Sequence, residues 1–180
     1  MMNQEQITIP FDRFSTPVFR QWSKDWLLLT GGSFANQDFN MMTVGWGAYG
    51  VIWGKPFAMI LVRPQRHTLQ FIEKYDSFTL SVFPESCREA LKFCGANSGR
   101  DYCNKAGAAG LTPIASQIVD APAYQEAELT LECKKILASD LEPASILMPD
   151  AINSFYPDQD FHKIYFGEIV NIRGIEKYQI

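Results

Sequence analysis

Histidine, paired cysteine and charge are all scarce in this sequence, and each shortage removes a class of function. There are two histidines, His67 and His162, and four cysteines, Cys87, Cys94, Cys103 and Cys133. No two cysteines form a CxxC pair, and neither histidine lies at zinc-site spacing from a cysteine pair. The expectation is no metal site, and reduced, mostly buried thiols of the kind found in cytoplasmic proteins. Charged residues are 20% of the chain, the net charge is −4, and the sixteen Lys and Arg residues are scattered. A protein that tracks phosphates along a nucleic acid carries a basic stripe, so no nucleic-acid partner is expected. No apolar run approaches the roughly 18 residues a membrane helix needs, which predicts no membrane partner. Residues 1–10 lack a basic stretch leading into an apolar one, so no secretory signal is expected. Cytoplasm is the expected compartment. Repeats, low-complexity tracts and long linkers are missing too, which predicts a single domain over residues 1–180.

What the chain does have is apolar and aromatic mass. Of its 180 residues 47% are hydrophobic and 13% aromatic. That suffices for one well-formed core, with surface left for an interface or a planar ligand.

The order of elements reads as strands, then helices, then strands. Trp26-Leu-Leu-Leu-Thr30 is a buried strand predicted to close at Gly31-Gly32. Residues 40–52, rich in Thr, Val, Trp and Tyr but broken by glycines, predict a bent or bulged strand pair. Residues 57–62 form another apolar strand, and residues 67–75 a short helix. Phe78, Leu80 and Val82 alternate with Thr79 and Ser81, which predicts a half-buried strand. Ser86-Cys-Arg-Glu89 has the form of a capping box opening a helix towards Gly95. A second short helix is predicted over residues 101–109, ending at Gly110. Ala127, Leu129, Leu131 and Cys133 mark one face of a later strand, and residues 164–172 a long final one. Such segregation predicts a mainly β fold, a barrel or sandwich with helical insertions.

Gly45-Trp-Gly47-Ala-Tyr-Gly50 matches the dinucleotide pattern GxGxxG letter for letter. In a dinucleotide fold that motif opens a helix whose N-terminus holds a pyrophosphate. Here it runs into Val51-Ile-Trp-Gly-Lys-Pro56, which does not start a useful helix. The Rossmann reading is rejected. The glycines instead predict close approach of the backbone to something flat, either an isoalloxazine ring or simply a neighbouring strand.

Four segments, in order and with their spacing kept, resemble the flavin reductase-like family that includes flavoredoxins. They are residues 40–47 (NMMTVGWG), 62–68 (VRPQRHT), 94–101 (CGANSGRD), and 155–157 (FYP) followed by 160–169 (DFHKIYFGEI). The resemblance spans about residues 25–173. It implies an FMN-binding split β-barrel of Greek-key type, homodimeric, with the flavin near the subunit interface. Carried over by residue, Asn40, Met42, Thr43, Val44, Gly45 and Trp46 line the flavin ring and ribityl chain. Arg63, Arg66 and Thr68 hold the phosphate, while Ser98, Gly99 and Arg100 close the site. His162 falls where related reductases place a histidine near nicotinamide and flavin.

The chemistry of the segments agrees with these roles. A terminal phosphate near −2 calls for guanidinium donors and hydroxyls, and residues 63–68 supply both at a strand-to-helix junction. Ser98-Gly-Arg-Asp101 also reads as a helix C-terminal glycine followed by an Asp cap. Hydride transfer itself needs no protein acid or base, so His162 is expected to orient nicotinamide or assist protonation of reduced flavin. NADH or NADPH is the expected donor, and free flavin or a redox protein the acceptor. The alternative is a flavin-binding carrier module without turnover; a haem-binding barrel is weaker, for want of an axial ligand beyond His67 and His162. The load of Trp22, Trp26, Trp46 and Trp53 suits a two-fold homodimer interface.

Overall fold

Two twelve-residue strands, Leu129–Asp140 and Lys163–Gly174, form the spine of the sheet, each pairing along nearly its whole length with the other. The computed structural model describes residues 5–180; residues 1–4, part of the polar start discussed above, lie outside it. In chain order the strands are β1 (Ile7–Thr8), β2 (Leu27–Ser33), β3 (Asp38–Val44), β4 (Gly47–Ile52), β5 (Lys55–Val62), β6 (Ser77–Val82), β7 (Pro113–Ile114), β8 (Ala123–Tyr124), β9 (Leu129–Asp140) and β10 (Lys163–Gly174). The helices are α1 (Val18–Arg20, continued to Asp25 as a wider π turn), α2 (Thr68–Lys74), α3 (Arg88–Ala96), α4 (Lys105–Ala108) and α5 (Pro149–Phe155).

The main sheet runs β3-β2-β6-β9-β10-β5-β4, with β1 added on β10; its strand pairs are antiparallel. Strands β3 and β4 follow one another in sequence, joined only by Gly45 and Trp46, yet occupy opposite ends of this path. The sheet therefore curls almost into a barrel and stays open where those two edges meet. This is a split barrel, and the bent strand pair expected over residues 40–52 is its seam.

The run Leu27-Leu-Leu29 is wholly buried because its residues feed two cores by turns. Leu27 and Leu29 join the barrel interior with Met42, Val44, Ile60, Phe78 and Leu131. Leu28 faces outward and packs with Met41, Leu91, Cys94, Ala106 and Tyr124 beneath α3 and α4. Apolar residues on both faces of a strand give a continuous run rather than an alternation.

Several expectations need correction. Gly31 and Gly32 lie inside β2, not after it; the turn comes at residues 34–37, closed by Gln37 N–H on the Phe34 carbonyl at 3.1 Å. Strand β6 is buried on both faces, because residues 115–125 cover its hydroxyl side and the Thr79 hydroxyl donates to Pro122 O at 2.7 Å. The capping box at Ser86 is not formed: a 3-10 turn over Glu85–Cys87 leads into α3, with Cys87 N–H bonded to Pro84 O. The next helix is shorter than predicted. Asn104, not Asp101, caps it by accepting Gly107 N–H at 2.9 Å, while Gly110 follows its end at φ +72°.

The GxGxxG glycines do approach flat groups, but these are the protein's own rings. A Cβ on Gly47 would lie 2.3 Å from the Trp22 indole and 2.4 Å from the Met59 carbonyl oxygen. One on Gly50 would lie 2.9 Å from the Phe57 ring. Gly47 and Gly50 thus serve packing within the protein, and no helix follows the motif.

Candidate functional site

Strand β3 pairs with β2 on one side only, so its other edge carries backbone groups without a strand partner. Three segments gather beside it around a cleft of about 140 Å³. From β3 come Asn40 and Met42; from the β5–α2 junction, Arg66, His67 and Thr68; from the loop after α3 and the start of α4, Ser98, Gly99, Arg100 and Lys105.

Local chemistry fixes each of these. The Asn40 amide donates to the Thr68 hydroxyl at 2.9 Å, tying β3 to the first residue of α2 and leaving the Thr68 proton free to donate. Gly99 lies so close to Asn40 that a Cβ there would meet its Oδ1 at 2.3 Å. A side chain at residue 99 would have to displace the buried Asn40 amide or the loop itself. Ser98 Oγ accepts the Arg100 N–H at 3.2 Å, shaping the turn between them. Arg66 reaches across to the Gly95 carbonyl at 2.7 Å, and Arg100 to the Gln65 carbonyl at 3.3 Å.

The cleft's electrostatics are one-sided. Lys105 is 6% exposed, and its ammonium donates to Met41 O at 2.8 Å and Cys94 O at 3.0 Å. An ammonium has three donors, so one remains. Burial lowers the pKa of both Lys105 and Arg66, and each is further lowered by a neighbouring cation. His67 is likewise lowered by burial, then by the charges of Arg100 and Lys105. Among the described residues none of Arg66, Arg100 and Lys105 belongs to an ion pair. Lys105 and Arg66 are desolvated cations bonded to neutral carbonyls, with the exposed Arg100 beside them, and such a group forms a site for an anion.

A second cluster lies at the seam. The exposed Trp46 ring sits 5.2 Å from both Phe155 and His162, centre to centre. His162 Nδ1 is 2.8 Å from the Tyr156 hydroxyl, and burial, helped by the Arg63 charge, lowers its pKa to about 4. Arg63 belongs here and not to the cleft: it pairs with Asp160, donates to Phe155 O at 2.8 Å and lies over the Tyr156 ring. The expected phosphate group of Arg63, Arg66 and Thr68 is thus divided, since Asp160 holds the first of them.

The remaining candidates on residues 43–45 lie outside the cleft's lining. Thr43 and Gly45 line a shallow depression with Trp26 and Gly95, and the Thr43 hydroxyl donates to Leu91 O at 2.5 Å. Val44 turns its side chain into the barrel core. Seven of the thirteen candidates (Asn40, Met42, Arg66, Thr68, Ser98, Gly99 and Arg100) therefore line one cleft. Sequence reasoning missed Lys105. A lone lysine directly after a capping Asn, in a helix otherwise of Ala and Gly, was the available signal.

Comparison with known proteins follows the same lines. The family described as flavin reductase like domain matches residues 24–179. The structure of an FMN-binding domain of a flavin reductases-like enzyme from Shewanella baltica OS155 is similar at a TM-score of 0.69 and 16% identity, covering 97% of this chain and 79% of that one. Flavoredoxin of Desulfovibrio vulgaris (Miyazaki F) is similar at 0.65 and 20% identity, covering 91% and 75%. An NADH:FAD oxidoreductase of Streptomyces globisporus C-1027, solved with NAD and FAD fragments, is similar at 0.59 and 17% identity, covering 82% and 73%. These likenesses establish a shared split-barrel fold. With the family match running from β2 to the chain's last residues, this chain belongs to the flavin reductase-like domain family.

Proposed function

We propose that this chain is a single-domain FMN-binding flavoprotein that accepts electrons from NADH or NADPH and passes them to free flavin or a redox protein. The observation that carries this is the convergence of Lys105, Arg66 and Arg100 on one small cleft without a carboxylate. FMN ends in a dianionic phosphate, and this donor set fits it: an ammonium with one free N–H, two guanidinium groups and the Thr68 hydroxyl. When bound, the flavin supplies the ring that accepts hydride or electrons.

The chain's own residues bind and orient. The open edge of β3 offers backbone N–H groups to ring carbonyls, and Gly99 keeps the closing loop against Asn40. The exposed Trp46 ring beside His162, which burial keeps neutral at ordinary pH, supports reception of a nicotinamide at the seam. The cleft is smaller than the ~300–1,000 Å³ typical of a ligand pocket, which supports a site completed by a second copy. The exposed Trp53, Val51 and Phe19 side chains support a homodimer as well. Four free cysteines among the described residues support a reducing, cytoplasmic setting. No helix among the described residues is long and apolar enough to cross a membrane.

The test is an anaerobic visible spectrum of the protein loaded with FMN, before and after NADH or NADPH. Flavin bands that bleach with nucleotide are the expected result. Bands that persist with both nucleotides point to the carrier module instead, and absence of FMN binding overturns the site. Light scattering on the loaded protein tests the dimer.

A further inference from the structure

Tyr156 takes no part in the cleft, yet it is buried and spends its only polar atom on a histidine. Its hydroxyl lies 2.8 Å from His162 Nδ1 and has no other hydrogen-bond partner among the described residues. The direction of that bond follows from counting protons. Burial raises the Tyr156 pKa and lowers that of His162, so phenol and imidazole are both neutral. If Nδ1 carried the imidazole proton, the phenol O–H would be buried with no acceptor, which is costly. The phenol therefore donates, Nδ1 accepts, and the proton of the ring sits on Nε2.

Nε2 has no hydrogen-bond partner among the described residues and retains contact with solvent. The ring around it is held from several sides. Trp46 lies 5.2 Å away, Tyr156 meets it edge-on at 5.5 Å, and Phe161 stacks on Tyr156 at 4.7 Å. The Arg63–Asp160 pair, with Arg63 also bonded to Phe155 O, fixes both ends of residues 155–160. A neutral N–H donor on a clamped ring beside an exposed indole suits an amide or imide carbonyl.

We infer that Tyr156 is a positioning residue, which locks His162 as the Nε2–H tautomer so that this N–H donates to a carbonyl of the bound nicotinamide nucleotide. This rests on the flavin reductase reading for its second half only; the tautomer is a property of the protein alone.

The experiment pairs a spectrum with kinetics. Two-bond ¹H–¹⁵N spectra of the native protein between about pH 6 and 8 should show His162 as the Nε2–H form. With two histidines in the chain, a His67→Gln sample completes the assignment. Tyr156→Phe keeps the ring and should give a mixture of tautomers. The KM for nucleotide should rise about three- to tenfold, the value of one hydrogen bond, with FMN affinity unchanged. His162→Gln retains an amide N–H near the Nε2 position, and Tyr156→Phe added to it should change KM little. An Nδ1–H form in native protein, or an unaltered tautomer in Tyr156→Phe, overturns the inference. Native protein that nucleotide fails to reduce removes the donor role along with the functional reading, while the spectrum separately decides whether the dyad stands.

Discussion

Glu132 and Lys105 are both charged and both buried, yet the protein treats them in opposite ways. Glu132, on β9 and 1% exposed, accepts from the backbone N–H groups of Gln117, Ile118 and Val119 at 3.0, 2.7 and 3.2 Å, and from the Asn171 amide at 3.0 Å. A carboxylate has about four lone-pair sites, and here all are filled. Lys105 has two of three donors filled, both by neutral carbonyls, with two cationic side chains nearby. Complete satisfaction marks a structural clamp, here pinning residues 117–119 over the sheet. Incomplete satisfaction of a desolvated charge marks a place prepared for a ligand.

The comparison breaks first at Glu132. Glu132→Ala strands three backbone donors and should cost about 3–5 kcal/mol in urea unfolding, enough to threaten folding. A loss below about 1 kcal/mol would mean that the clamp is ornamental.

His162 sharpens the contrast, being buried without a charge. Burial, aided by Arg63, sets its pKa at about 4 in the folded protein, below an ordinary 6.5. Between those values the unfolded chain binds the proton and the folded protein does not. Stability from this residue is therefore full above about pH 6.5, falls as pH drops towards 4, and levels off below. The span is roughly 3 kcal/mol, and His162→Gln should lack it when the two unfolding curves are subtracted. Parallel curves would show that His162 is solvated.

Lys105→Met should divide binding from stability. FMN affinity falls about 10- to 100-fold, as for a lost charge-assisted bond, while unfolding loses only about 1–2 kcal/mol, since two carbonyls lose their donor but a desolvated charge is removed. The reverse pattern, with stability lost and affinity kept, would make Lys105 a second Glu132. The smallest effect belongs to Gly99→Ala, where a Cβ 2.3 Å from Asn40 Oδ1 must displace the Asn40 amide from Thr68 or the loop from β3. Crowding of this sort costs about 1–2 kcal/mol. Thermal unfolding and FMN titration should both register it, and no change in either would show that the loop is free to move.

Much of the cleft was legible because its residues come in short local segments. The run from Arg63 to Thr68 and the Ser98-Gly-Arg100 turn each announce a junction between elements, and junctions are where backbone and side-chain donors are free. Lys105 was not legible in that way. Its burial depends on Asn104 capping α4 three residues later than Asp101 suggested, which turns the ammonium inward to Met41 O and Cys94 O. Arg63 shows the converse: a guanidinium three residues from Arg66 was claimed by Asp160, 97 residues along the chain.

The amino-acid sequence by itself determined that the fold is mainly β with a helical insert, where most strands lie, and that GxGxxG opens no Rossmann helix. Those are consequences of periodicity and backbone sterics, which act over a few residues. Tertiary structure alone decided that β3 and β4 part at Gly45–Trp46, that β6 is covered on both faces, and which cations remain unpaired. Each of these depends on contacts between distant segments, and the partner available to a charge is set by what the fold brings beside it.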